Sequence, residues 1–223
     1  MVYWILQVIE FLGIAFAFSA FIIGWLFAWK GSLVQYKLLI WLVSLRFFVE
    51  FVGDIWSIQT QTSNNWMYNL YFPLESLGFL YIFYLGAIHT AVKRINAALL
   101  IAILPTLLVA YILYPGFTFL NTHAIIYQSF LLLVSAGCAF IDILLDKSRV
   151  QFVRRPLFWL ASGIIIYSGA SIMVYLFWAY GKKMILYLPF AYIYMISYNL
   201  LSFFIIGSFI SIRRATADKF RVV

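Results

Sequence analysis

Long apolar runs separated by short polar breaks fill the chain. Read between the breaks, they cover Tyr3–Trp29, Leu38–Ile58, Trp66–Ile88, Ile95–Leu113, Ala124–Leu145, Pro156–Trp178 and Met184–Ile212. A helix needs about 20 apolar residues to cross the hydrocarbon core of a bilayer, and each run is near that length or beyond it. The strands of a membrane barrel would instead show about ten residues of alternating character. The pattern predicts an all-α, polytopic membrane protein: a single transmembrane domain over residues 1–223 with seven helices.

Composition narrows the class further. Of 223 residues, 66% are hydrophobic and 10% charged, whereas a soluble domain carries about a quarter charged residues. Seven spans consume about 150 residues, which leaves no room for an appended kinase, ATP-binding cassette or DNA-binding module. The formal charge of +8 orients the bundle rather than marking a nucleic-acid partner, because Lys and Arg collect on cytoplasmic loops. The loops after the first, third and fifth runs hold Lys30 and Lys37, then Lys93 and Arg94, then Lys147, Arg149, Arg154 and Arg155. The tail holds Arg213, Arg214, Lys219 and Arg221, while the opposite loops hold Lys182 and Lys183. This asymmetry predicts an N-terminus outside and a C-terminus in the cytoplasm, in the cell membrane. Cys138 is alone, which excludes an internal disulfide and a Cys-based metal cluster. The first cation, Lys30, follows the first apolar run, so a cleavable signal peptide is not expected.

Ionisable groups inside a span are costly and by default mark function or a specific partner. Glu10, Arg46, Glu50, Asp54, Glu75 and Asp142 stand inside the runs. Helical rise puts Glu10 and Asp54 roughly 6 Å below the outer boundary, Glu50 and Glu75 roughly 12 Å, and Arg46 with Asn199 roughly 18 to 20 Å. Arg46, Glu50 and Asp54 recur every fourth residue and so share one face of the second span. An ion pair between Arg46 and Glu50 would serve packing alone, but one arginine neutralises one carboxylate. The other acids must be protonated, hydrogen-bonded, metal-bound or wetted by a cavity open to the outside. Asp142 stands apart near the other end, where Lys147 and Arg149 are expected to neutralise it.

Neighbouring patterns support a cavity. Gln7, Glu10, Gly13, Ala17, Ala20 and Gly24 run down one face of the first span, and such small residues let helices approach closely. In the third span, Pro73 frees the carbonyl of Asn69, which with Glu75 sets a carbonyl, an amide and a carboxylate within two turns. A plain kink is the alternative there. Gln128, Ser135, Cys138 and Asp142 share a face of the fifth span, Gly163, Tyr167, Ser171 and Tyr175 one of the sixth, and Tyr192, Asn199 and Ser202 one of the seventh. Such groups more often bond between helices than to ligands. The remaining Tyr and Trp read mostly as interfacial anchors.

The expected function is that of a membrane receptor or transporter-like protein. Its ligand would be small and polar, cationic or proton-linked, with Glu50 and Glu75 central, Glu10 and Asp54 at the entrance, Arg46 and Asn199 as the floor, and Asn69 beside them. Two other classes compete. One is a lipid-modifying enzyme with a carboxylate pair as general acid and base, for which Glu10 and Asp54 lie near headgroup depth. The other is a non-catalytic subunit of a membrane complex. No catalytic residue, cofactor or protein partner is assigned, metal ligation stays open, and membrane lipids are the expected surroundings. The seventh span has no lysine for a retinal Schiff base, and His89 and His123 are too few for an intramembrane zinc hydrolase.

Overall fold

A computed structural model describes residues 2–29, 33–113, 120–146, 151–180 and 187–220. Among them there are seven long helices and no strand: α1 (Val2–Ile23), α2 (Val34–Thr60), α3 (Asn65–Gly86), α4 (Thr90–Leu113), α5 (Thr122–Leu145), α6 (Pro156–Tyr180) and α7 (Tyr187–Phe220). The last turn of the first span widens into a π-helix over Gly24–Ala28. Each helix packs on its neighbours in sequence, α7 closes onto α1, and α3 also reaches α5.

Every apolar run becomes one helix, but charged residues do not end the helices. The second helix starts at Val34 and so includes Lys37. The fourth starts at Thr90 and includes Lys93 and Arg94, and the seventh continues past Arg213 and Arg214. A long cationic side chain can reach solvent from a helix as readily as from a loop, so hydropathy stops before the backbone pattern does. The start of the seventh run, Met184, lies outside the described residues, as do Lys30, Lys147, Arg149, Lys182, Lys183 and Arg221.

Five helices are long and apolar enough to cross a membrane: α1 with its π turn, α4, α5, α6 and α7. The other two, α2 and α3, carry Arg46, Glu50, Asp54, Asn69 and Glu75. Their polarity faces inward: Arg46, Glu50, Asn69 and Glu75 are buried, while Trp41, Phe48, Phe51, Leu70 and Leu74 are exposed.

The core explains the closure of the ring. Leu39, Ile40, Phe79, Leu80, Phe83, Ile103, Leu160, Ile164, Leu201 and Phe209, from five helices, belong to one buried cluster. The small-residue stripe of α1 does what its spacing implied: Gly13, Ala17, Ala20 and Gly24 are all buried. A Cβ at Gly13 would stand 2.9 Å from Asn199 Oδ1, and one at Gly24 would stand 3.0 Å from the Phe209 ring. Both partners are on α7, so the stripe is the seam that closes the ring.

Candidate functional site

The site grows from the inward face of α2. Four-residue spacing stacks Arg46, Glu50 and Asp54 along it, and Arg46 Nε donates to Glu50 Oε1 at 3.4 Å. The guanidinium does not stop there. Its Nη2 donates to the Tyr198 carbonyl at 3.2 Å, and its carbon lies 3.4 Å from the centre of the Tyr198 ring. One buried cation, paired with Glu50 on its own helix, therefore ties α2 to α7 by a hydrogen bond and a cation–π contact. It also lies within electrostatic reach of Glu75.

Above this floor is a cavity of about 310 Å³, at the end of the bundle where α1 begins and α2 ends. Glu50, Asp54, Asn65 and Asn199 supply its polar wall. The rest is apolar and aromatic: Tyr68 and Phe72 from α3, Tyr175 and Trp178 from α6, Tyr194, Met195 and Tyr198 from α7, with Ile9, Gly13 and Ile14 from α1 and Leu120. Tyr194 stands at the centre of the aromatic set. Its ring centre is 5.5 Å from that of Tyr175, 6.1 Å from Tyr198 and 6.2 Å from Tyr167. Its hydroxyl shares hydrogen bonds with Tyr167 and Tyr175, so the rings are held in place by their own polar ends.

The structure sorts the residues singled out in the sequence. Glu50, Asp54 and Asn199 reach the cavity wall. Asn199 also donates to the Ile9 carbonyl at 3.2 Å, across the α1–α7 seam. Arg46 lies behind the wall, as a floor, bonded to a residue that lines it. Glu75 is 2% exposed and is not a wall residue; it accepts from the Tyr71 hydroxyl at 2.6 Å within its own helix. The side chains of Gln7 and Glu10 lie outside the described residues.

Asn69 turns elsewhere. Its side-chain oxygen accepts from the Asn121 backbone N–H at 3.0 Å, at the entry to α5. The carbonyl that Pro73 frees accepts from the Tyr111 hydroxyl of α4. Both oxygens hold helices together, so the kinked segment acts here through packing. Asp142 meets the connection between α3 and α4. Its oxygens accept from the backbone N–H groups of Ile88 and His89 at 2.6 and 3.1 Å, and from His89 Nδ1 at 2.5 Å. Ile88 and His89, just before α4, thus hold this carboxylate; Lys147 and Arg149, expected to neutralise it, lie outside the described residues.

Gln128 and Ser135 make the interhelical bonds expected of their face, Gln128 accepting from Ser76 at 3.2 Å and Ser135 donating to Asn96 at 2.6 Å. The aromatic wall is what sequence reasoning missed. Its trace is three pairs at helical spacing: Tyr68 with Phe72, Tyr175 with Trp178, and Tyr194 with Tyr198. In a chain with 21% aromatic residues, such pairs do not stand out.

Fold and site together define an all-helical bundle with a cavity walled by carboxylates and aromatic rings. No protein family, no curated protein and no solved structure matches this chain.

Proposed function

We propose that this chain is an integral membrane receptor or transporter-like protein with seven spans, its N-terminus outside and its C-terminus in the cytoplasm. It binds a small polar ligand, cationic or proton-linked, in the cavity at the outer end. One observation carries the reading: Glu50 and Asp54 stand on the wall of a cavity of about 310 Å³ rather than in a sealed network. Ligand pockets span roughly 300 to 1,000 Å³, with few polar groups in an apolar lining, which matches this one at its small end. The carboxylates exceed the positive charge available, since Arg46 is one cation serving Glu50 and lying within reach of Glu75.

The inward polarity of α2 and α3 supports seven spans rather than five. Their outer faces carry Trp41, Phe48, Phe51, Leu70 and Leu74, a surface suited to lipid. A charge buried inside a bundle is the tolerated form of an intramembrane charge.

Access tests the reading. In a Cys138→Ser background, Asp54→Cys should react with a membrane-impermeant thiol reagent added to intact cells, and Ser76→Cys, buried below, should not. An Asp54→Cys thiol that reacts only after permeabilisation would overturn the outward-facing cavity. Flux of a bound cation in proteoliposomes then separates a transporter from a receptor.

A further inference from the structure

We infer that the cavity takes an organic ammonium ion, a small alkylated amine with one positive charge, rather than an inorganic cation. The inference rests on the function proposed above and names the ligand class for the same site.

The walls carry the argument. A bare metal ion needs several hard donors converging on one point. Among the described residues no three His, Cys, Asp or Glu side chains form such a group. Glu50 and Asp54 follow one another along a single helix, so they offer a negative strip rather than a cage. Facing them are Tyr68, Phe72, Tyr175, Trp178 and Tyr194 from three other helices. Aromatic faces attract cations and cannot replace the water shell of a small hard ion, whereas they suit an alkylated ammonium, whose charge is spread over apolar methyl or methylene groups.

The bundle already uses this chemistry one layer down. The Arg46 guanidinium lies 3.4 Å from the centre of the Tyr198 ring, with Glu50 as its counter-charge. A ligand ammonium would repeat that arrangement on the cavity side: carboxylate on one flank, ring faces on the other. Arg46 reaches Glu50 through Oε1, so Oε2 and Asp54 are the groups assigned to the ligand. The excess of acid over base at this wall matches a single positive charge. A volume of about 310 Å³ admits an amine with a few carbon substituents.

Calorimetric titration of the full chain in nanodiscs tests this with four probes: tetramethylammonium, sodium, potassium and neopentyl alcohol, a neutral molecule of similar shape. Tetramethylammonium should bind, and the other three should bind at least about tenfold more weakly or not at all. Glu50→Gln should weaken tetramethylammonium about tenfold or more, and Tyr194→Leu about fivefold, while Tyr194→Phe should keep most of the affinity because the ring face remains. Trp178→Leu serves in place of Tyr194→Leu if the latter does not fold. Sodium or potassium binding in preference to tetramethylammonium would overturn the ammonium assignment and leave the cation-binding function standing. Equal binding of neopentyl alcohol would overturn both, since the cavity would then not read charge. Binding by none of the four would overturn the ammonium assignment, with the fate of the cavity decided separately by Asp54→Cys accessibility.

Discussion

Arg46 has three partners: the Glu50 carboxylate, the Tyr198 carbonyl and the Tyr198 ring. Removing it leaves Glu50 buried without its counter-charge, a loss of about 3 to 5 kcal/mol for a buried pair broken on one side. Asp54 is only partly buried, and its conversion to Asn leaves no stranded charge. Arg46→Met should therefore lower the yield and melting temperature of purified protein sharply, while Asp54→Asn should stay within about 0.5 kcal/mol of the parent. Equal, small effects would show that Arg46 is solvated. Tyr71 acts on the neighbouring acid. Tyr71→Phe deletes the hydroxyl that donates to Glu75 at 2.6 Å, between two buried side chains. The expected destabilisation is about 1 to 3 kcal/mol, read as a lower midpoint in chemical or thermal unfolding.

The third helix shows how one element resolves a conflict in its own sequence. Pro73 is inside α3 and cannot donate to the carbonyl of Asn69. Tyr111 from α4 supplies the missing donor, and Asn121 takes the amide oxygen of the same residue. A double-mutant cycle exposes this division of labour. Tyr111→Phe alone should cost about 1 to 3 kcal/mol, because it orphans a carbonyl. In a Pro73→Ala background the restored backbone N–H serves that carbonyl, and the same change should cost much less, giving a coupling of about 1 kcal/mol. Strict additivity would mean that Tyr111 contributes by packing alone. The α1–α7 seam behaves differently, since the close approach of small residues rather than a proline-freed carbonyl shapes it. Gly13→Val would push a side chain into the space of Asn199 Oδ1, which a Cβ already meets at 2.9 Å. It should loosen the seam at about 1 to 3 kcal/mol, and weaken ligand binding as well, because Gly13 and Asn199 both line the cavity.

Across the whole molecule, topology is the property on which the depth of every polar residue depends. Reporter fusions after Ser32, Lys93, Ser148 and Val223 should read cytoplasm, and fusions after Ser63 and Thr118 should read outside. A cytoplasmic signal at Ser63 would invert the bundle and put the cavity at the inner face. Mean hydropathy judges α2 and α3 poor membrane helices because it averages over the circumference. Their charged and amide residues Arg46, Glu50, Asn69 and Glu75 are buried, while Trp41, Phe48, Phe51, Leu70 and Leu74 are exposed, so the face that lipid would meet carries large apolar side chains. A closed ring, with α7 on α1, is what lets such helices hide a charged face.

The number and rough limits of the helices, the all-α class and the small-residue seam of α1 were legible in the chain itself. They depend on local periodicity and on the length of apolar runs, and both are properties of consecutive residues. The same holds for the Arg46–Glu50 pair, whose members are one helical turn apart. Tertiary structure alone decided which polar groups face a space and which face each other. Glu50 and Glu75 stand at similar calculated depth, yet one lines the cavity and the other is turned to Tyr71, because depth says nothing of rotation about a helix axis. Asn69 and Asp142 found backbone donors just before α5 and just before α4 that no spacing within a helix reveals. The aromatic wall is the fullest case. Its rings come from three helices separated by up to a hundred and thirty positions in sequence, and only the closure of the ring brings Tyr68, Trp178 and Tyr194 around one cavity.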